Sequence, residues 1–153
     1  SMTDGSKRDV PLHLTTPAHT KDVARLGEEA AAAFFANLGY TLLERNWRSG
    51  RFGEIDLILR SKEGVVIFAE VKTRRKTHTA SGFIDLGFDA IGWQKRRKIL
   101  ITARSYLARF KESDCGYQCD AVLVTYTAIK RTGNKLQMEG SQILHVPGAF
   151  DSV

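Results

Sequence analysis

The chain has 153 residues, about the length of one domain and enough to bury a hydrophobic core. Apolar residues make up 42% of it and charged residues 26%, and no apolar run approaches the roughly 20 residues of a membrane-spanning helix. Its two cysteines cannot form a disulfide framework. We therefore expect a cytoplasmic protein in a reducing environment, with no membrane among its partners.

The net charge of +6 is concentrated in one block of the sequence. Residues 72–111 carry a net charge of +9, whereas the remainder carries −3. A basic face of this kind suits a polyanion, and nucleic acid is the first candidate. A solvated helix face that binds nothing is the alternative.

The first half of the chain predicts a helix followed by three strands. Residues 1–20 have no periodicity and indicate a disordered N-terminal tail, which leaves residues 21–153 as a single domain. Apolar residues recur every three or four positions over residues 21–38, which predicts a helix that stops at Gly39. Apolar runs bounded by turn residues predict an antiparallel meander of three strands, over residues 40–47, 54–60 and 65–73.

The second half predicts a long loop, a basic helix and two strands. Residues 74–91 indicate a loop, which at this length is usually functional or disordered. An amphipathic helix is predicted over residues 93–111, a fourth strand over 119–127 and a short fifth strand over 142–146. The order α-β-β-β-α-β predicts an α/β fold with a mixed central sheet of about five strands, flanked by helices.

The second and third predicted strands bring carboxylates together. Alternate residues of a strand share a face, so Glu70 and Lys72 are neighbours, and Asp56 lies beside Glu70 if the two strands pair. Two close carboxylates repel each other, and Mg²⁺ or Mn²⁺ would relieve the repulsion. Such a metal could activate water at a phosphodiester, with Lys72 assisting. An ordinary salt bridge between Glu70 and Lys72 at the strand end is the alternative.

These residues also carry a resemblance to known proteins. Gly53-Glu54-Ile55-Asp56 followed by Glu70-Val71-Lys72 resembles the core of the PD-(D/E)xK nucleases. Over roughly residues 23–126 the chain more closely resembles the bacterial YraN family. The matching stretches are Leu26-Gly27-Glu28 with Ala31, Gly39-Tyr40, Arg45-Asn46-Trp47-Arg48, residues 51–58, residues 69–75 and the basic helix from Lys95. The resemblance implies a restriction-endonuclease-like core, similar to that of Holliday-junction resolvases, and an endonuclease that cleaves nucleic-acid phosphodiesters.

Residue by residue, the resemblance implies a catalytic metal site. Asp56 and Glu70 match the metal-binding acids, the Val71 backbone carbonyl a further ligand, and Lys72 the catalytic lysine. Glu28 on the first helix matches an acid that reaches the same metal, with an exposed helix carboxylate as the alternative.

Three more residues near these motifs have less definite roles. Glu54 could act as a base near the metal or pair with Arg51 or Arg48. Asp120 matches an acid on the fourth strand and is interpreted as structural. Gln94 lies near the position of a glutamine found in relatives, but two residues on a helix is about 200° of rotation, so we assign it no catalytic role.

The basic block provides candidate nucleic-acid contacts. It contains two runs of cations: Arg74, Arg75 and Lys76 after the predicted site, and Lys95, Arg96, Arg97 and Lys98 at the start of the next helix. Such side chains hold phosphates without reading sequence, so branched or flapped DNA is the expected partner. Trp93 is interpreted as a core residue, with base stacking as the alternative.

Two other functions fit the same sequence. One is a non-catalytic nucleic-acid-binding module that keeps the nuclease fold, and the other is an interaction domain whose basic helix binds an acidic protein. A homodimer is suggested by analogy with resolvases, which act on two-fold symmetric junctions.

Overall fold

The computed structural model describes residues 17–51, 53–76, 91–110 and 116–149, with the side chains of the first helix from Thr20 onward. The elements within these ranges are α1 (Pro17–Asn37), β1 (Thr41–Arg48), β2 (Glu54–Arg60), β3 (Val66–Arg75), α2 (Trp93–Phe110), β4 (Tyr117–Tyr126), β5 (Ala128–Thr132), β6 (Lys135–Glu139) and β7 (Gln142–Val146).

Five strands form a mixed sheet in the order β1-β2-β3-β4-β7. The first three strands form an antiparallel meander, and β7 is antiparallel to β4. Strands β3 and β4 are parallel, which requires the chain to cross over between them, and α2 lies in that connection. The predicted α/β fold, order and mixed sheet are confirmed and are consistent with a restriction-endonuclease-like core.

The helices cover two separate hydrophobic layers of the sheet. Ala31 and Phe35 of α1 are fully buried against one layer, and Ala103 and Tyr106 of α2 are buried against the other. Each large apolar side chain buried in this way contributes about 1.5–3 kcal/mol to stability. None of the helices in the described ranges is long and apolar enough to span a membrane.

The boundaries of helix α1 and strand β3 differ from their predictions. Helix α1 begins at Pro17, so residues 17–20 are helical and do not belong to the expected tail. Proline is favoured in the first turn of a helix, where its missing N–H is not needed. Strand β3 continues to Arg75, two residues into the expected loop. Residues 1–16 of the tail and 77–90 of the loop lie outside the described residues.

The hairpin of β5 and β6 was not predicted from the sequence. These strands pair with each other as a separate two-stranded sheet, joined at Thr132 and Lys135 through Gly133-Asn134. Gly133 has a φ of 64°, which glycine adopts without strain. Ile129 anchors the hairpin, since it is buried against Tyr126.

Candidate active site

Asp56 and Glu70 meet where the pairing between β2 and β3 ends. Leu57 and Ala69 are the last paired residues. Beyond this pair, the backbone N–H of Val71 donates a 2.7 Å hydrogen bond to Asp56 Oδ2. The carboxylate thus replaces a backbone carbonyl of the strand ladder. Glu70 is only 3% exposed and hydrogen-bonds to the Asp56 side chain, so the predicted pair is brought together.

The end of this pairing also changes the face of a neighbouring side chain. Ile55 packs in the layer beneath α2, whereas Leu57 and Leu59 pack in the layer beneath α1. The pairing of β2 with β3 stops at Leu57, whereas Ile55 remains paired with Trp47 of β1.

The surroundings of Asp56 favour its neutral form. Burial and the charge of Glu70 raise the pKa of Asp56 from an ordinary 3.8 to about 8, despite the opposing hydrogen bond from the Val71 N–H. The charge of Glu28 raises it further. Near neutral pH, Asp56 is therefore mostly protonated, at a position where a cation would relieve the same repulsion.

Two ammonium groups neutralise Glu70. Lys95 Nζ lies 2.8 Å from Glu70 Oε2, and Lys72 Nζ lies 3.6 Å from the same oxygen. Burial lowers the pKa of Lys72, although the charge of Glu70 opposes this. Burial also acts to lower the pKa of Lys95, but the hydrogen bond and charge of Glu70 outweigh it, and the pKa is raised. Lys95, predicted to contact phosphate, is in this structure the closest cation to the buried carboxylate.

A cleft of about 400 Å³, the carboxylate cleft, lies between the start of β2 and the first turns of α2. Its lining residues are Gly53, Glu54, Asp56, Gln94, Lys95, Lys98 and Ile99. Gln94, to which no catalytic role was assigned, also lines this cleft, because the first turn of α2 lies at its edge. A 2.8 Å hydrogen bond between Ser49 and Ser105 ties the turn before β2 to α2.

Glu28 lies near the carboxylate pair but has its own partner. It is half-buried and hydrogen-bonds to the Asn46 side chain. Burial raises the pKa of Glu28, and the charges of Glu54 and Glu70 raise it further. Among the described residues, no group of three or more His, Cys, Asp or Glu side chains could hold a metal ion. Asp56 and Glu70 are therefore the pair that the fold brings together, with Glu28 beside them.

Two residues that position Glu28 were missed as such by the sequence analysis. A Cβ at Gly27 would overlap the Thr73 hydroxyl, so only glycine lets α1 approach β3 this closely. Asn46 has a φ of 50° within β1, a left-handed conformation that asparagine tolerates better than most residues. A glycine inside a helical pattern and an asparagine inside a strand pattern were the available signals.

The predicted phosphate contacts differ in their surroundings. Three donate hydrogen bonds to acceptors within the protein: Arg74 to the Thr73 carbonyl, Lys76 to the Gln142 amide oxygen, and Arg96 to the Ile91 carbonyl. Arg75, Arg97 and Lys98 are exposed, as is Lys76, and the seventh residue, Lys95, pairs with Glu70. Of these seven residues, Lys95 and Lys98 line the carboxylate cleft.

Glu54 and Asp120 occupy different surroundings. Glu54 accepts a 3.1 Å hydrogen bond from Arg48, one of the two predicted partners. Asp120 is fully buried and accepts hydrogen bonds from the Gln118 side chain and the Gly148 backbone. It also lies 2.7 Å from His145 Nε2. These contacts tie β4 to β7 and the turn after it, in keeping with a structural role.

Trp93 does not belong to the core. Its side chain is 59% exposed at the start of α2. The apolar stripe that α2 buries begins later, at Ile99. The interpretation of Trp93 as a core residue was therefore wrong.

Comparison with known proteins identifies the family. A family model described as "Uncharacterised protein family UPF0102" matches residues 27–124. The chain belongs to the UPF0102 family. It is 34% identical over 131 residues to a UPF0102 protein of Trichlorobacter lovleyi, covering 84% of this chain and 90% of that protein. A Treponema pallidum UPF0102 protein is 31% identical over 137 residues, covering 90% and 98% of the two chains.

A third UPF0102 protein, from Acidovorax, is 37% identical over 142 residues, covering 90% of this chain and 92% of the relative. The resemblance to the YraN family is thus confirmed. The matched region includes Glu28, Asp56, Glu70 and Lys72.

Proposed function

We propose that the chain is a metal-dependent endonuclease of the PD-(D/E)xK type that hydrolyses nucleic-acid phosphodiesters. The observation that carries the proposal is the buried Asp56–Glu70 pair at the edge of a cleft, with Lys72 and Lys95 on Glu70. Two carboxylates in contact are costly unless a cation or a proton separates their charges.

The donor set fits Mg²⁺ or Mn²⁺. Magnesium in proteins often uses only one or two carboxylates and takes its other oxygens from water and substrate phosphate. Asp56 and Glu70 would supply those carboxylates, and the Val71 carbonyl would add a third oxygen. The Lys95 ammonium, 2.8 Å from Glu70, is a positive charge already held at this carboxylate. When bound, the metal would lower the pKa of a water and stabilise charge that develops on the phosphate.

The protein's own residues then have distinct roles. Lys72, 20% exposed beside Glu70, would orient the attacking water and offset negative charge at the phosphate. Lys95 and Lys98 border the same cleft, and exposed Arg75 and Arg97 extend the positive surface along which a phosphate backbone would run. These contacts do not read bases, which favours DNA recognised by its shape.

One observation favours a second candidate, a nucleic-acid-binding module without catalysis. Glu70 already has two ammonium partners, so the carboxylates and lysines could form a self-contained structural network. This candidate predicts salt-sensitive binding of nucleic acid that is the same with and without a divalent metal, and the same after Lys72→Ala.

Cleavage of a labelled panel tests the proposal. The panel contains duplex, single strand, flap, four-way junction and structured RNA, incubated with EDTA, Mg²⁺ or Mn²⁺. Wild type is compared with Lys72→Ala, and with Lys130→Ala as a control lysine on the separate hairpin. We expect cleavage that depends on the metal, is lost in Lys72→Ala and persists in Lys130→Ala. Binding without cleavage in wild type would favour the binding module.

A further inference from the structure

A second cleft lies along α2, and its composition differs from that of the carboxylate cleft. It has a volume of about 540 Å³ and is lined by Trp93, Arg97, Leu100, Ile101 and Arg104. Trp93 is 59% exposed, and both arginines are exposed. A large aromatic side chain left open to solvent beside two cations requires an explanation, since burying it would be favourable.

The three side chains form one stripe of the helix. At 100° per residue, Trp93, Arg97 and Arg104 lie within roughly 40° of one another, and the stripe is about 16 Å long. The whole of α2 carries six basic residues and no acidic one. We call this surface, formed by Trp93, Arg97 and Arg104, the Trp93 stripe.

We propose that the Trp93 stripe binds an unpaired nucleotide, whose base stacks on Trp93 while Arg97 and Arg104 hold flanking phosphates. Aromatic faces accept any base, and neighbouring cations follow the backbone, which is the recurring chemistry of single-strand binding. Arginine can also bind a phosphate with two parallel hydrogen bonds.

A membrane surface suits the stripe less well. A helix that inserts at a lipid interface exposes a broad apolar face. In α2 that face is used inside the protein, since Ile99, Leu100, Ala103, Tyr106 and Leu107 are buried on the sheet. A single exposed tryptophan with arginines therefore suits a base and phosphates better than a bilayer.

The position of the stripe connects it to the carboxylate cleft. Trp93 and Lys95 are two residues apart and project from nearly opposite flanks of the first turn of α2. Lys98 lines the carboxylate cleft and Arg97 belongs to the Trp93 stripe. The exposed surface between the two clefts is therefore positively charged. On the proposed nuclease function, the stacked base lies a few nucleotides from the phosphate that is cleaved, and the preferred substrate has unpaired bases at that place, as in a flap.

Binding measured without metal tests the proposal independently of cleavage. Fluorescence anisotropy in EDTA is recorded for labelled oligothymidine, a flap and a blunt duplex, with wild type, Trp93→Ala and Trp93→Phe. We expect Trp93→Ala to weaken binding of oligothymidine and the flap roughly fivefold to a hundredfold. Trp93→Phe should retain most of the affinity, and duplex binding should change by less than about twofold, since a paired base cannot stack on the side chain.

Arg97→Ala and Phe110→Ala provide a second readout and a control. Arg97→Ala should reduce the slope of log affinity against log salt concentration for oligothymidine by about 0.7. Phe110 is another exposed aromatic of α2, 43% exposed beside Arg109, but does not line the second cleft. Its alanine variant, checked by thermal unfolding, should bind oligothymidine like wild type.

The outcomes separate the two proposals. Equal loss of single-strand and duplex binding in Trp93→Ala would overturn the stacking role, even if the protein cleaves DNA. Loss of single-strand preference in a protein that never cleaves would support the Trp93 stripe and contradict the nuclease. Binding of wild type and Trp93→Ala to vesicles of equal parts phosphatidylcholine and phosphatidylserine is also measured. If Trp93→Ala loses vesicle binding and keeps its nucleic-acid binding, the proposed ligand is wrong.

Discussion

Asp56→Asn should stabilise the metal-free protein at alkaline pH. The asparagine amide keeps an oxygen that accepts the hydrogen bond from the Val71 N–H, but it carries no charge to repel Glu70. Wild type, in contrast, must ionise Asp56 in the folded state above pH 8 or so. The substitution therefore isolates the cost of the second negative charge.

The size and sign of the effect follow from the pKa of Asp56. The pKa of Asp56 is raised from an ordinary 3.8 to about 8. At about 1.4 kcal/mol for each pKa unit, the upper limit of the gain in the free energy of unfolding is about 6 kcal/mol. Because the folded chain relaxes around a charge and Lys95 lies near it, we expect about 2–3 kcal/mol.

The pKa of Asp56 also sets the pH window. The stabilising contribution of protonated Asp56 is fully present below about pH 4, because both folded and unfolded chains are then protonated. It is lost as the pH rises towards about 8, since only the unfolded chain ionises in that window. The advantage of the asparagine variant should grow over the same range and stay constant above it.

Urea unfolding in EDTA at several pH values measures this difference directly. Glu63→Gln is the control, because Glu63 is an exposed carboxylate in the turn between β2 and β3. An Asp56→Asn variant that is less stable than wild type at every pH, or whose advantage does not change with pH, would refute the account of the buried pair.

The remaining predictions concern the contacts around Glu70 and Glu28. Lys95→Met should lower metal-free stability by about 1–2 kcal/mol, because Glu70 loses its 2.8 Å partner. Urea unfolding with and without Mn²⁺ should show that the ion restores the lost stability. Gly27→Ala should lower stability by about 1–3 kcal/mol, because the new methyl group would overlap Thr73. Adding Thr73→Ala should recover part of that loss in the same unfolding assay.

For each of these predictions, one result would contradict the stated reason. Lys98 borders the same cleft, so if Lys98→Met loses as much stability as Lys95→Met, the contact with Glu70 is not the cause. A Gly27→Ala variant more stable than wild type would mean that helix propensity outweighs the overlap. In that case the close approach of α1 to β3 would not explain the glycine.

The sequence predicted the parts of the fold that depend on local patterns. Strand β2 was predicted with the observed bounds because its apolar residues lie between clear turn residues. Alternation along β3 placed Glu70 beside Asp56 because pairing continues to within one residue of them. Helix α2 was located by an apolar stripe that packs on the sheet.

Other features depend on packing between distant segments. Lys95 was predicted to contact a nucleic-acid phosphate, but it pairs with Glu70. This contact depends on how α2 packs on the sheet. The close approach at Gly27 depends on Thr73, which lies 46 residues further along the chain. The prediction for Trp93 was wrong because the sequence pattern at the start of an amphipathic helix fits both a buried and an exposed aromatic residue. Which of the two occurs depends on how the helix packs on the sheet.

The most direct test of the central claim is whether Asp56 and Glu70 hold a divalent metal. Isothermal titration of the metal-free protein with Mn²⁺ at pH 9, where Asp56 is largely ionised, is compared for wild type, Asp56→Asn and Glu70→Gln, with Glu63→Gln as the control. We predict saturable binding that both site variants lose and the control keeps. Binding of equal strength in wild type and both site variants, or none in wild type, would contradict the claim.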